Sequence, residues 1–133
     1  KAKSLCMDII RYKRVHENDV LSAIKQDPNW DMFTNEAAAG NYRRRLSESI
    51  TYVCYEEKKF SGYLRAILDD GISVYISELL VVPATRNRKI GPALITTLKI
   101  EYSNLSVYAL SDEDLYYEKL GYKKAGSFYE INQ

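Results

Sequence analysis

The segment that decides the fold reads LLVVPATRNRKIGPAL and extends from Leu79 to Leu94. Its first four residues are apolar on both faces, which is typical of a central strand that is covered on both sides. Pro83 ends this strand because proline cannot donate a hydrogen bond to a neighbouring strand. Pro92 is favoured at the first position of a helix. The segment therefore predicts a buried strand, a polar turn and a helix.

The turn between this strand and helix is strongly basic. Arg86, Arg88 and Lys89 place three cations within one short turn, directly before the helix. A helix N-terminus carries unpaired N–H groups and a partial positive charge, and Gly91 allows a ligand to approach the backbone closely. The turn is therefore a candidate anion site, although a basic surface turn would explain the same residues. Neither a Walker P-loop nor a GxGxxG sequence occurs in the chain.

The periodicity of the apolar residues predicts the other elements. Strands are expected at Leu5–Tyr12, Ile50–Tyr55, Phe60–Leu68, Ile72–Val82, Leu105–Ala109 and Tyr122–Ile131. Two helices separate the first two strands, and Thr34 can cap the second of them. A fourth helix is expected at Asp112–Leu120, where Ser111 and Asp114 have the spacing of a capping box. The order βααβββαβαβ predicts a single α/β domain over residues 1–133, with four helices on a mixed, mostly antiparallel sheet of six to seven strands.

The composition is that of an ordinary globular domain. Hydrophobic residues make up 46% of the 133 residues, and 19 Lys and Arg nearly balance 18 Asp and Glu. The resulting net charge of +1 is too small to favour a dedicated nucleic-acid binder. The run Arg43–Arg45 is therefore interpreted as a solvated helix face.

The cysteines and the single histidine exclude one kind of metal site. Cys6, Cys54 and His16 lack the number and spacing of a Cys/His zinc site, and no metal is expected. The two thiols are interpreted as buried and free, as in a cytoplasmic protein. No apolar run approaches the ~20 residues that cross a bilayer, so no membrane association is expected.

Two motifs carry a resemblance to a known family. Residues Leu79–Leu94 resemble the central motif of the GNAT superfamily of N-acetyltransferases, roughly L-x-V-x-P-x-x-R-x-x-G-x-G-x-x-L. Residues Tyr116–Tyr122 resemble the FYEKLGF signature that follows the fifth strand in the same superfamily. Together with the order of the elements, the resemblance covers essentially the whole chain. Lys89 stands where the family usually has its first loop glycine, and its β-carbon is expected to affect the anion cradle.

The resemblance implies an acetyl-CoA site between splayed fourth and fifth strands. The backbone of three residues would bind the pantetheine arm: Leu79, Leu80 and Val81. The turn and the start of the helix would hold the pyrophosphate: Asn87, Arg88, Lys89, Ile90, Gly91 and Pro92. Consecutive N–H donors suit that charge, but Pro92 has no N–H to give.

The resemblance also implies direct transfer of the acetyl group to a primary amine, on a small molecule or a peptide, in a ternary complex. Tyr117 matches the family's general acid, and a packing tyrosine is the alternative. Neighbouring helical residues point about 100° apart, so Tyr116 is expected to face the core and Tyr117 the cleft. Glu78 is a candidate general base if a bulge turns it into the cleft. Otherwise Glu78 is a structural or substrate-positioning carboxylate.

Two other functions are consistent with the sequence. A non-catalytic acyl-CoA-binding or regulatory module would explain Lys89 and the absence of an obvious base, whereas a nucleic-acid binder would use Arg43–Arg45 and the many tyrosines. The resemblance implies that the amine is selected largely by residues Gln26–Glu36, between the first two helices, and by loops near the end of the chain. A cationic acceptor would be favoured by Asp27, Trp30, Asp31 and Glu36, and solvated loop acids are the alternative. A homodimer is consistent with this interpretation.

Overall fold

The computed structural model describes residues 7–27, 36–86 and 88–132, with the backbone alone for residues 36 and 37. Cys6, Trp30, Asp31, Thr34 and Asn87 lie outside the described residues. The strands are β1 Met7–Arg11, β2 Ile50–Glu56, β3 Lys59–Asp69, β4 Ser73–Val81 and β5 Ser106–Ala109. The helices are α1 Glu17–Lys25, α2 Glu36–Glu48, α3 Ile90–Glu101 and α4 Asp114–Lys119.

The strands form one mixed sheet in the order β1-β2-β3-β4-β5. The first four strands are antiparallel, and β4 and β5 are parallel, which confirms the predicted mixture of pairings. The β2–β3 turn has Glu57 and Lys58 in the left-handed region, with φ of 51° and 64°. Two such residues suit a tight hairpin, because its twist matches that of the flanking strands.

The predicted last strand, Tyr122–Ile131, is wrong, and so are the six to seven strands and the order βααβββαβαβ that included it. Five strands occur in the described part of the chain, and residues 122–132 have no regular secondary structure there. Phe128 and Ile131 are exposed. The segment has residues that favour strands, but Gly126 interrupts it, and strand propensity without a paired neighbour does not produce a strand.

Two other boundaries differ from the predictions. Helix α3 begins at Ile90, so Pro92 is its third residue. Helix α4 begins at Asp114, and its N-cap, Glu113, makes no side-chain capping bond. The Ser111 hydroxyl accepts a hydrogen bond from the Glu113 N–H at 2.9 Å, so Ser111 stabilises the preceding turn and the predicted capping box does not form.

Each face of the sheet carries its own apolar core. On the α3 face the buried residues are Ile50, Tyr52, Cys54, Leu64, Ala66, Val74, Ile76, Ile90, Leu94, Ile95 and Leu98. On the α1/α2 face they are Val20, Leu21, Ile24, Tyr42, Leu46, Val53, Tyr63 and Leu80. Helices therefore cover both sides of the middle strands, as the apolar run at the end of β4 predicts.

A β-bulge at Ser77 changes which face each later residue of β4 occupies. Glu78 pairs with Arg65, but Ile76 pairs with Ala66, so Ser77 is the extra residue. Before the bulge, Ile76 packs on the α3 face. After it, Leu80 packs on the α1/α2 face, although strict alternation would place both on the same side.

Candidate active site

A cleft opens where β4 and β5 separate. β5 pairs only with the first half of β4, ending at Ile76 opposite Ala109. The Leu110 N–H donates to the Ile76 carbonyl at 2.9 Å, and the rest of β4 continues without a β5 partner in the described pairing. The Val82 N–H donates to β3 at 2.9 Å. Successive residues of a strand direct their N–H and C=O groups to opposite edges. Since the Val82 N–H points to β3, the Val81 N–H and C=O point to the open edge of β4.

The three residues predicted to bind pantetheine therefore differ in which way their backbone groups point. Leu79 and Val81 turn their backbone groups toward the cleft and pack their side chains on the α3 face. Leu80 has the opposite orientation, with its side chain on the α1/α2 face. The Arg86 Nε donates to the Val81 carbonyl at 3.1 Å. Arg86 was predicted only as one of the three cations of the turn, and this bond places it at the open edge of β4.

Lys89 lies directly before α3 in a left-handed conformation. Its φ and ψ are 63° and 26°, in the region that glycine adopts most easily. The backbone of Lys89 thus has a glycine-like conformation at the position of the family's loop glycine. The Lys89 side chain is exposed, so its ammonium adds positive charge beside the helix N-terminus.

Arg88 pairs with a carboxylate that sequence analysis missed. Its Nη1 donates to the Glu56 Oε1 at 2.7 Å, and the Glu56 side chain is only 3% exposed. The strand predicted at Ile50–Tyr55 ends one residue before Glu56, which is the last residue of β2. One signal was available, since Glu56 continues the alternation of Ile50, Tyr52 and Cys54, all of which face the core.

The two tyrosines of α4 contact each other edge to face, with ring centroids 5.1 Å apart. A β-carbon built on Gly91 would overlap the Tyr116 hydroxyl. Tyr117 packs against the α3-face core and lines a cavity of about 950 Å³ along β5. The expected division, with Tyr116 in the core and Tyr117 in the cleft, is therefore wrong for Tyr116, because this short helix docks on the first turn of α3.

Both phenols hold their protons more tightly than free tyrosine does. Burial, with a smaller contribution from Tyr116, raises the pKa of Tyr117 to about 12. Burial also raises the pKa of Tyr116. At neutral pH each hydroxyl is therefore a hydrogen-bond donor and a potential proton donor.

Glu78 lies in a buried polar cluster on the α1/α2 face. Arg65 donates to both of its carboxylate oxygens, through Nε at 2.7 Å and Nη2 at 2.6 Å. The Tyr42 hydroxyl donates to Oε1 at 2.5 Å, and Ser77 donates to Oε2. Tyr63 is bonded to Tyr42 at 2.7 Å. Each carboxylate oxygen thus accepts two hydrogen bonds, which is characteristic of a structural carboxylate.

Cys54 is buried in the core, and His16 forms a hydrogen bond with the backbone. Burial, and then the Glu56 charge, raises the pKa of the Cys54 thiol to about 11, so little reactive thiolate forms at neutral pH. The His16 Nδ1 accepts a hydrogen bond from the Lys13 N–H at 2.9 Å.

In the described ranges, no cluster of three or more His, Cys, Asp or Glu side chains has the arrangement of a metal site. None of the described helices is long and apolar enough to span a membrane.

The open edge of β4, the basic start of α3 and the two tyrosines of α4 are the features of this candidate site. The chain matches the family described as acetyltransferase (GNAT) domain over residues 16–132. It therefore belongs to the GNAT acetyltransferase family. No curated protein matches the chain.

Solved structures share this fold at low sequence identity. A GNAT family acetyltransferase from Streptococcus pneumoniae is 19% identical, with a TM-score of 0.71 over 96% of this chain and 100% of that one. The aminoglycoside N-acetyltransferase AAC(6')-Iy, in complex with CoA, is 16% identical, with a TM-score of 0.73 over 98% of both chains. A predicted acetyltransferase from Clostridium acetobutylicum, with acetyl-CoA, is 15% identical, with a TM-score of 0.71 over 96% of both chains.

Proposed function

We propose that this chain, as a single domain over residues 1–133, transfers an acetyl group from acetyl-CoA to a primary amine. The observation that carries the proposal is the open edge of β4 beside the basic start of α3. An extended pantetheine arm can pair with an exposed strand edge, while a pyrophosphate suits a helix N-terminus with nearby cations. Solved structures of this fold contain CoA or acetyl-CoA, which supports the same co-substrate here.

The backbone of Leu79 and Val81 would bind the pantetheine arm, with Leu80 supporting the strand from its other side. The pyrophosphate would lie over Lys89, Ile90 and Gly91, where N–H groups meet the positive end of the helix dipole. Asn87 and Pro92 remain predicted contacts at the two ends of this set. The Val81 N–H would donate to the acetyl carbonyl and stabilise the negative charge that develops on its oxygen.

Tyr117 is the proposed general acid, on the basis of its place in the Tyr116–Tyr122 motif. It would give its phenolic proton to the departing thiolate of CoA. The pKa of Tyr117, about 12, means that the phenol is protonated at neutral pH and has a proton to give, but burial makes it a weaker acid than free tyrosine and reduces the driving force for the transfer. Tyr116 is the competing donor, since its hydroxyl lies at the first turn of α3.

Glu78 is the proposed proton acceptor for the amine, acting directly or through a water molecule. The Ser77 bulge turns it to the α1/α2 face, where it contacts Tyr42 of α2. If it is not the base, Glu78 is the structural carboxylate that its hydrogen bonds to Arg65 and Tyr42 indicate. Solved structures of the same fold include aminoglycoside acetyltransferases, which supports an amine as the acceptor.

A non-catalytic acyl-CoA-binding module is the second candidate function. The specific observation in its favour is Glu78, whose carboxylate is held by Arg65, Tyr42 and Ser77. A base must accept a proton, and these donors compete for the lone pairs that would take it. This module would bind acetyl-CoA normally but release no CoA when an amine is added.

Thermal unfolding with acetyl-CoA, followed by a thiol-release assay over a panel of amines, tests both functions. A ligand at about 100 times its Kd adds about 2.7 kcal/mol to the unfolding free energy, so Tm should rise. Release of CoA that depends on an amine supports the transferase. A rise in Tm without release supports the module, and no rise at millimolar acetyl-CoA refutes both.

A further inference from the structure

The pair formed by Arg88 and Glu56 lies beside the proposed acetyl-CoA site. We propose that Arg88 is a positioning residue, which neutralises the buried Glu56 carboxylate next to the phosphate position and does not itself bind phosphate. This inference rests on the proposed function. It gives the two most obvious cations of the turn, Arg86 and Arg88, different roles.

Glu56 lies on the α3 face, close to where α3 begins. It follows Cys54, which packs in the α3-face core with Ile90. Gly62 pairs with Cys54, and a β-carbon built on Gly62 would lie 3.4 Å from the Ile90 side chain. The end of β2 and the first residue of α3 are therefore neighbours, and the Glu56 carboxylate lies beneath the turn that carries the cations.

A buried carboxylate at this place is unfavourable for an anion site. Two like charges repel each other more strongly where they are poorly hydrated than in bulk water. A buried Glu56 carboxylate without a cationic partner would therefore repel a pyrophosphate bound above it. Arg88 donates to this carboxylate at 2.7 Å. Its positive charge is therefore largely balanced by Glu56, which leaves Arg86, Lys89 and the helix N–H groups as the net positive part of the turn.

The pair also connects the turn to the sheet. Arg88 immediately precedes Lys89, whose left-handed φ of 63° orients the start of α3. A charged hydrogen bond to a buried strand residue restricts the backbone at this point, because breaking it would leave the carboxylate without its partner. Arg88 therefore contributes to both the charge and the shape of the turn.

A double-mutant cycle with two ligands tests the proposal. Arg88→Gln, Glu56→Gln and the double variant are titrated with acetyl-CoA and with S-acetylpantetheine, which has no pyrophosphate. Arg88→Gln should weaken acetyl-CoA binding about tenfold and leave S-acetylpantetheine binding unchanged. It should raise the acetyl-CoA KM without lowering kcat. The double variant should return to within about threefold of wild type, because the charge that repelled the phosphate is gone.

Arg86→Gln is the matched control, because Arg86 donates to a backbone carbonyl and has no acidic partner at that bond. Its loss of affinity should not be restored by Glu56→Gln. If the double variant binds acetyl-CoA as weakly as Arg88→Gln alone, Arg88 contacts phosphate directly and the proposal is wrong. Wild-type affinity in Arg88→Gln also overturns it. Failure of the wild-type protein to bind acetyl-CoA refutes the proposed function itself, a result that is distinct from both.

Discussion

The Tyr116 hydroxyl lies in the space that a β-carbon on Gly91 would fill. This contact joins α4 to the first turn of α3, so the two sequence motifs of the chain meet there. The helical backbone at Gly91 does not itself require glycine. Glycine is needed there because the Tyr116 hydroxyl leaves no room for a β-carbon.

Gly91→Ala should destabilise the protein even though alanine favours helices by about 1 kcal/mol over glycine. The new β-carbon would overlap Tyr116, and overpacking of this kind costs about 1–3 kcal/mol. Adding Tyr116→Phe removes the overlapping hydroxyl, so the double variant should recover most of the loss. Urea unfolding of the four proteins measures the coupling. Additive losses would show that the Tyr116 contact does not determine the cost.

Lys89→Gly should be tolerated or should raise Tm, because glycine adopts the observed φ of 63° without the penalty of a side chain, about 1 kcal/mol. Lys58→Gly is the matched control, since Lys58 has φ of 64° in the β2–β3 turn. Both variants should have similar Tm changes, and only Lys89→Gly should alter acetyl-CoA affinity. A large loss of affinity would identify the Lys89 ammonium as a phosphate ligand.

Tyr117→Phe should preserve folding and acetyl-CoA binding and lower kcat by about 10² to 10⁴-fold, the usual value of general acid catalysis. Tyr116→Phe should retain most of kcat. Steady-state kinetics with an accepted amine, under conditions where chemistry limits the rate, distinguishes the two. The opposite pattern would assign the acid role to Tyr116, and no effect in either variant would leave proton donation to solvent.

Glu78→Gln should destabilise the fold by about 3 kcal/mol, because it leaves the buried Arg65 guanidinium without a charged partner. Arg65→Met with Glu78→Gln should recover part of this loss. Chemical denaturation measures the stability, and the thiol-release assay then tests the base role. If the stable double variant keeps wild-type kcat, Glu78 is not the base.

Stability should fall as pH rises above about 9. The Cys54 thiol has a pKa of about 11 in the folded state, compared with an ordinary value of 9.0, so the folded protein retains a proton that the unfolded chain loses in this window. The difference favours the unfolded state increasingly as pH rises. Urea midpoints at pH 7, 9 and 10 should show the decline, and Cys54→Ala should have a shallower slope. Equal slopes would assign the effect to the buried tyrosines.

Much of the fold was predictable because its signals are local. The apolar run at Leu79–Val82, followed by Pro83 and a basic turn, predicts a central strand and a helix without knowledge of tertiary contacts. Alternating apolar residues predicted the antiparallel strands, and helices after the fourth and fifth strands indicated a parallel pairing.

The parts that were not predictable depend on contacts between distant segments. Ser77 has no feature of its own that marks a bulge, which exists only through the pairing of β4 with β3. Glu56 looked like a turn residue because charged neighbours follow it, and its partner is 32 positions away. The orientation of Tyr116 depends on how α4 docks on α3. Each of these results from packing, which a sequence pattern does not record.

The bulge at Ser77 sets the phase of the second half of β4. Ile76 and Glu78 pair with the adjacent residues Ala66 and Arg65, so deletion of Ser77 would make them consecutive and leave Glu78, Leu79 and Val81 on their present faces. If Ser77 instead took a regular place in the ladder, Glu78 would enter the apolar layer beneath α3, and Leu79 and Val81 would move to the side that holds Arg65. A single in-frame codon deletion at Ser77 should thus preserve both the cofactor edge and the polar cluster, while removing the Ser77 hydrogen bond to Glu78.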